Sequence, residues 1–126
     1  MKTIEINSLV LAYLGDSIYE SYVREYLISL GTFHVKELQE KSLEYVSARS
    51  QSKILNDLID KNIFTEEELE IIKRGRNQKS NTHPKSCSIQ EYRNATGFEA
   101  LFGYLKLENK IERIEEIIKI ILGEVC

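Results

Sequence analysis

A chain of 126 residues, 42% of them hydrophobic, is long enough to bury one core and too short for two. No stretch reaches the roughly 18 consecutive apolar residues of a membrane span, and the N-terminus shows no cleavage pattern of a signal peptide. We therefore expect a cytoplasmic protein without a membrane partner. Cys87 and Cys126 are too few for a disulfide framework. A net charge of −3 argues against a nucleic-acid binder only if the charge is spread evenly along the chain.

The periodicity of the apolar residues predicts an all-α fold in a single compact domain. Apolar residues recur at intervals of three and four throughout, and Pro84 is the only proline. Thr65 and Glu68 have the spacing of a capping box, which opens a short helix. Gly123 is the expected stop of the last helix, which begins near Ile111. The other predicted helices span about residues 8–30, 35–61 with a break or bend within 47–52, 65–75, and 90–107, and a loop is expected over 75–88.

The first predicted helix is apolar over most of its circumference. On a helical wheel one stripe holds Leu9, Ala12, Tyr13, Asp16, Glu20, Val23, Leu27 and Leu30. The remaining faces are also largely apolar, so the pattern predicts a helix in the middle of the domain, with its tyrosines in the core or at an interface. On that prediction Asp16 is not a solvated residue.

Two acids interrupt long apolar runs, Asp16 within residues 9–19 and Glu99 within residues 95–105. An uncompensated buried carboxylate costs several kcal/mol, so each acid needs a cation or strong hydrogen-bond donors nearby. Two such acids suggest one shared cation. The neighbouring glycines Gly15, Gly97 and Gly103 are unfavourable in helices by about 1 kcal/mol each, which indicates close approach of another backbone or a ligand.

The segment from Lys73 to Lys85 contains five basic residues, one histidine, His83, and no acid. The acids are concentrated elsewhere, so the sequence predicts a local basic patch on an acidic body. The five basic residues are Lys73, Arg74, Arg76, Lys79 and Lys85.

Three motifs together resemble the ribonuclease III catalytic fold. They are Leu14-Gly15-Asp16, the Gly97–Gly103 sequence Gly-Phe-Glu-Ala-Leu-Phe-Gly, and Arg74-Gly75-Arg76-Asn77. More narrowly, the chain is similar to the Mini-ribonuclease III branch, the short bacterial form without a double-stranded-RNA-binding domain. The resemblance implies that residues 1–126 form one ribonuclease III-like catalytic domain, with the helical fold of that family.

The resemblance assigns catalytic and metal-binding roles to Asp16 and Glu99. Full-length ribonuclease III carries two further acids in the same motifs, at positions that hold Ala12 and Thr96 here, and the Mini branch is reduced in the same way. Two carboxylates with water and a substrate oxygen are an ordinary environment for Mg²⁺, with Mn²⁺ as an alternative. Glu20 and Thr96 are candidates for residues that lie beside these ligands and support them without binding the metal.

The activity that the resemblance implies is Mg²⁺-dependent hydrolysis of double-stranded RNA, leaving 5′-phosphate and 3′-hydroxyl ends. A homodimer would align two sites across a duplex. The substrate expected from the Mini branch is the precursor of 23S ribosomal RNA, in ribosome biogenesis, with a ribosomal protein as a candidate helper. Without a separate RNA-binding domain, the five basic residues are the expected phosphate contacts.

Two other functions stay open from the sequence. One is a catalytically silent ribonuclease III-like module that binds RNA. The other is a helical interaction module in which Asp16 caps a helix or pairs with Arg24 or Arg49, and in which the basic segment is a solvated connector. Glu20 can equally be an ordinary surface glutamate.

Overall fold

The computed structural model describes residues 2–78 and 83–123, which form a one-turn 3₁₀ helix and six α-helices. The 3₁₀ helix spans Thr3–Glu5. The α-helices are α1 (Ser8–Ser29), α2 (Val35–Val46), α3 (Ala48–Asp60), α4 (Glu66–Arg76), α5 (Ile89–Leu107) and α6 (Ile111–Leu122). The all-α prediction is confirmed. Within the described ranges, no helix combines the length and the apolar content needed to cross a bilayer.

Local capping explains most of the helix boundaries. The predicted capping box of Thr65 and Glu68 is present at the start of α4, and Ser88 with Glu91 forms a second one at the start of α5. The predicted break between residues 47 and 52 falls at Ser47, which ends α2 and caps α3 by accepting a hydrogen bond from the Ser50 N–H. The long second helix of the prediction is therefore two helices. Gly123, at φ 81°, follows the end of α6 as expected.

Helix α5 is the central element of the domain and packs against α1, α3 and α4. Its side chains are buried over most of its length, and Phe98 and Phe102 stack edge-on with their ring centroids 5.0 Å apart. Tyr19 of α1 completes this aromatic cluster, with its ring centroid 5.0 Å from that of Phe98. From Asn94 to Leu105 every residue of α5 except Glu99 is buried, so this part of the helix lies within the core rather than on its surface.

The glycine prediction is confirmed, since each glycine singled out lies against a neighbouring backbone. A Cβ atom at Gly15 would meet the carbonyl oxygen of Glu99, and one at Gly103 would meet the carbonyl oxygen of Leu11. Gly97 packs in the same way against the carbonyl of Ile72 on α4. These contacts bring α1 and α4 close to the axis of α5.

The prediction of which face of α1 is buried is wrong: the buried residues mostly lie one position before those of the predicted stripe. The buried residues of α1 are Ser8, Leu11, Ala12, Gly15, Tyr19, Val23 and Leu27. Asp16 is exposed, and Tyr13, predicted to lie in the core or at an interface, is 84% exposed within this chain. Both faces of α1 are apolar, so hydropathy does not distinguish them; the glycine contacts with α5 decide which face is buried.

Candidate functional site

Asp16 and Glu99 lie next to each other across the contact between α1 and α5. The backbone of Gly15 rests on the backbone of Glu99, and the two carboxyl groups are within hydrogen-bonding reach of each other. Both side chains line a cavity of about 320 Å³ whose walls come mainly from α1, α3 and α5, together with Val46 and Pro84. The two acids that the sequence singled out therefore face one another, 83 positions apart in the chain.

The electrostatics of the pair follow from where each carboxylate lies. Burial, the hydrogen bond with Asp16 and the negative charge of Asp16 raise the pKa of Glu99 from 4.5 to about 9. Glu20 adds to this effect, while a hydrogen bond from Gln51 opposes it. Two carboxylates this close cannot both be ionised without a compensating charge. A cation between them would remove the repulsion.

The donor set fits a hard divalent cation such as Mg²⁺, because carboxylate oxygens are the ligands that this ion prefers. Among the described residues, no group of three or more His, Cys, Asp or Glu side chains is placed to share a metal ion. Ala12 and Thr96, the two positions at which the resemblance to full-length ribonuclease III implies further acids, both line the cavity. The hydroxyl of Thr96 donates to the Tyr92 carbonyl at 3.0 Å, one turn back on α5. The chain therefore offers two carboxylates, and further ligands would come from water or substrate.

Gln51 belongs to the site, and the sequence interpretation did not include it. Its side chain is 1% exposed, and its Nε2 donates to Oε2 of Glu99 at 3.3 Å. The only sequence signal was its place in the first turn after the Ser-rich break, which says nothing about a contact with α5. Contacts between helices that are distant in sequence are set by the fold.

The two arginines that were alternative partners for Asp16 form ion pairs with other acids. Arg24 pairs with Glu20 at 4.0 Å, and Arg49 pairs with Glu91 at 3.5 Å. Glu20 thus has the surface ion pair of an ordinary helical glutamate, although its charge still reaches Glu99.

The predicted basic residues differ in solvent exposure. Lys73 and Lys85 are exposed, and Lys85 follows the cavity residue Pro84. Arg74 is half-buried and donates through Nη2 to the Ile6 carbonyl at 3.4 Å, while Arg76 is half-buried against Gly97. Lys79 lies outside the described residues. The end of α4 therefore carries one exposed cation, Lys73, and two half-buried ones, Arg74 and Arg76, that pack against other parts of the fold.

The geometry agrees with comparisons to known proteins. A family profile described as the ribonuclease III domain matches residues 9–110. The chain is 46% identical over 120 residues to "Mini-ribonuclease 3" of Clostridium tetani (strain Massachusetts / E88), covering 94% of this chain and 78% of that protein. It is 46% identical over 114 residues to "Mini-ribonuclease 3" of Enterococcus faecalis (strain ATCC 700802 / V583), covering 90% of this chain and 86% of that protein.

A solved structure has the same fold. The crystal structure of a protein from Fusobacterium nucleatum superposes with a TM-score of 0.85 at 37% sequence identity, covering 97% of each chain. Profile, relatives and structure all span most of the chain, so the chain belongs to the ribonuclease III domain family, within which it is an endoribonuclease of the Mini-ribonuclease 3 group.

Proposed function

We propose that this endoribonuclease cleaves double-stranded RNA in a Mg²⁺-dependent reaction at Asp16 and Glu99, and that its substrate in the cytoplasm is precursor 23S ribosomal RNA. The observation that carries the proposal is the pair of carboxylates held against each other in one cavity. A structural acid pair would be expected to find a basic partner, whereas here burial and the neighbouring Asp16 raise the pKa of Glu99.

The role of the chain in the reaction is to bind the cation and to place the two carboxylates that bind it. Asp16 and Glu99 would hold the cation, which when bound neutralises phosphate charge and activates water. The backbone contact at Gly15 sets how far apart the two residues lie, so the fold itself brings the two carboxyl groups together. No side-chain nucleophile is required: water would attack the phosphorus, the bond to the 3′ oxygen would break and that oxygen would leave as a 3′-hydroxyl, so the phosphate stays on the 5′ end, as the family resemblance implies.

Two surface features support binding of a duplex by a homodimer. Leu9, Val10 and Tyr13 expose apolar surface on α1 beside Asp16, and an exposed apolar patch of this kind is typical of a protein interface. A two-fold dimer through this face would place two cavities on one duplex, one for each strand. Lys73 and Lys85 supply exposed positive charge for phosphates.

The test is cleavage of a plain RNA duplex and of a precursor 23S stem, with and without EDTA, by the wild type and by Asp16→Asn. We expect the wild type to cut only with Mg²⁺ or Mn²⁺ present, and Asp16→Asn to bind duplex normally but lose cleavage. Glu25→Gln, an exposed change on α1 away from the cavity, is the control and should cut like the wild type. End-mapping of the products checks the 5′-phosphate.

Three outcomes would overturn the proposal, and a fourth would extend it. Cleavage in EDTA, or by Asp16→Asn at the wild-type rate, removes the metal site. Binding without any cleavage by the wild type would favour a silent RNA-binding module. Cleavage of the precursor stem only when ribosomal proteins are added would identify a helper for the reaction.

A further inference from the structure

Gln51 is a buried polar side chain that links the end of α2 to the carboxylate pair. Its Nε2 donates one hydrogen bond to the carbonyl of Val46 at 3.2 Å and another to Glu99 Oε2 at 3.3 Å. Both N–H groups of the amide are therefore used. Its Oε1 is buried without a hydrogen-bond partner among the described residues.

The Val46 carbonyl determines which way the amide points. Val46 is the last residue of α2, and the final carbonyls of a helix have no partner within the helix. In the reversed orientation, Oε1 of Gln51 would face the Val46 carbonyl, which can only accept, and that contact would be repulsive. The N–H groups are therefore directed at Glu99 by the backbone break that ends α2.

The hydrogen bond between Gln51 and Glu99 joins two helices that are far apart in the chain. Gln51 lies on α3, and Glu99 lies on α5 facing α1. Glu99 is thus held from one side by an amide and approached from the other by Asp16. A carboxylate without such a partner can rotate about its side-chain bonds, and it loses that freedom when a cation binds.

We propose that Gln51 is a positioning residue of the cation site, whose amide holds the Glu99 carboxylate in the orientation that shares a divalent cation with Asp16. This inference rests on the proposed function, since it assigns Gln51 a role only if the two acids bind a cation. Hydrogen-bond partners of metal ligands commonly contribute about 10- to 100-fold to metal affinity.

The test compares Gln51→Met with Ser52→Ala. Methionine keeps the length of the side chain and removes both donors. Ser52 is the next residue, is also buried in the contact between α3 and α5, and accepts a hydrogen bond from Asn94 Nδ2 at 2.9 Å. Ser52→Ala therefore removes a buried hydrogen bond from the same helix contact without touching Glu99.

The first measurement is Mn²⁺ binding to the full chain without RNA, followed as the loss of the free Mn²⁺ signal in electron paramagnetic resonance. We expect Gln51→Met to raise the Kd for Mn²⁺ about 10-fold and Ser52→Ala to leave it unchanged. In duplex cleavage at fixed Mg²⁺, Gln51→Met should lower kcat with little change in KM for RNA. If Gln51→Met does not fold, Gln51→Asn takes its place, because its shorter amide cannot reach both acceptors.

The outcomes separate this inference from the proposed function. Wild-type Mn²⁺ affinity in the Gln51 variant, or an equal loss in Ser52→Ala, would overturn the positioning role. Asp16→Asn and Glu99→Gln are measured in the same titration and should lose Mn²⁺ binding. If they bind like the wild type, the proposed function fails; if they lose binding while Gln51→Met keeps it, only the role of Gln51 fails.

Discussion

A Cβ atom at Gly15 would lie 1.7 Å from the carbonyl oxygen of Glu99, so α1 and α5 cross in direct backbone contact. One turn away the relationship is reversed, because a Cβ atom at Gly103 would lie 2.0 Å from the carbonyl oxygen of Leu11. Each helix thus offers a glycine to a carbonyl of the other. Two contacts of this kind fix both the spacing and the crossing of the helices, and they place Asp16 beside Glu99.

Gly15→Ala should destabilise the protein although alanine is the better helix former. Alanine in a helix interior normally gains about 1 kcal/mol over glycine, but here the added methyl group would force α1 away from α5. We expect a loss of about 2–4 kcal/mol in the free energy of unfolding, measured by urea denaturation. The control is Ser21→Ala on the exposed face of α1, which should be near neutral. A stabilised Gly15→Ala would contradict the backbone contact.

Glu99→Gln should stabilise the protein in the absence of divalent cations while removing cleavage. The amide oxygen of glutamine can accept the hydrogen bond of Gln51, and its NH₂ group can donate to Asp16, so the folded chain no longer has to take up a proton at position 99 at neutral pH. The expected gain at neutral pH is on the order of 1 kcal/mol in thermal unfolding with EDTA present. Added Mg²⁺ should stabilise the wild type and leave this variant unaffected. A lower Tm in EDTA would show that the wild-type pair is not strained.

The stability of the cation-free protein should fall as the pH rises. Burial and Asp16 raise the pKa of Glu99 from 4.5 to about 9, so in that interval the folded chain binds a proton that the unfolded chain has released. This contribution to stability is fully present below pH 4.5 and is lost as the pH rises toward 9. Urea midpoints across this range, with Glu99→Gln as the flat reference, measure the effect. Since a cation competes with the proton, its stabilising effect should grow over the same range.

Lys73→Ala and Arg74→Ala should have different effects despite their adjacent positions. Lys73 is exposed, so its loss should weaken duplex binding and reduce the salt dependence of the affinity without changing stability. The half-buried guanidinium of Arg74 donates to the Ile6 carbonyl, so its loss should lower the free energy of unfolding by about 1–2 kcal/mol. Gel shifts at several salt concentrations and urea denaturation distinguish the two. If the two variants lost the same amount of duplex binding and the same amount of stability, the separate roles assigned to Lys73 and Arg74 would be wrong.

Val10→Glu should shift the protein from dimer to monomer. Val10 is 57% exposed on the apolar face of α1, and a charge there would lose its water at an interface. Ile120→Glu on α6, where isoleucine is 45% exposed, serves as the control and should leave the dimer intact. Sedimentation velocity measures the mass directly. A monomeric wild type would contradict the proposed homodimer.

The helices were predictable because their signals are local. Capping at Thr65, the break near Ser47 and the stop at Gly123 each depend on a few neighbouring residues. The pairing of Asp16 with Glu99 was also accessible, because acids and glycines within apolar runs mark places where a helix must meet another group.

The face of α1 that is buried was decided only in the tertiary structure. Leu9 and Tyr13 are as apolar as the residues that are buried, so hydropathy has no information to separate the faces, and the contact at Gly15 makes the choice. The same holds for Gln51, whose role depends on where α2 stops and how α3 lies against α5. Features that depend on residue type and local spacing can be predicted from the sequence. Features that depend on the distance between helices are decided only when the helices pack.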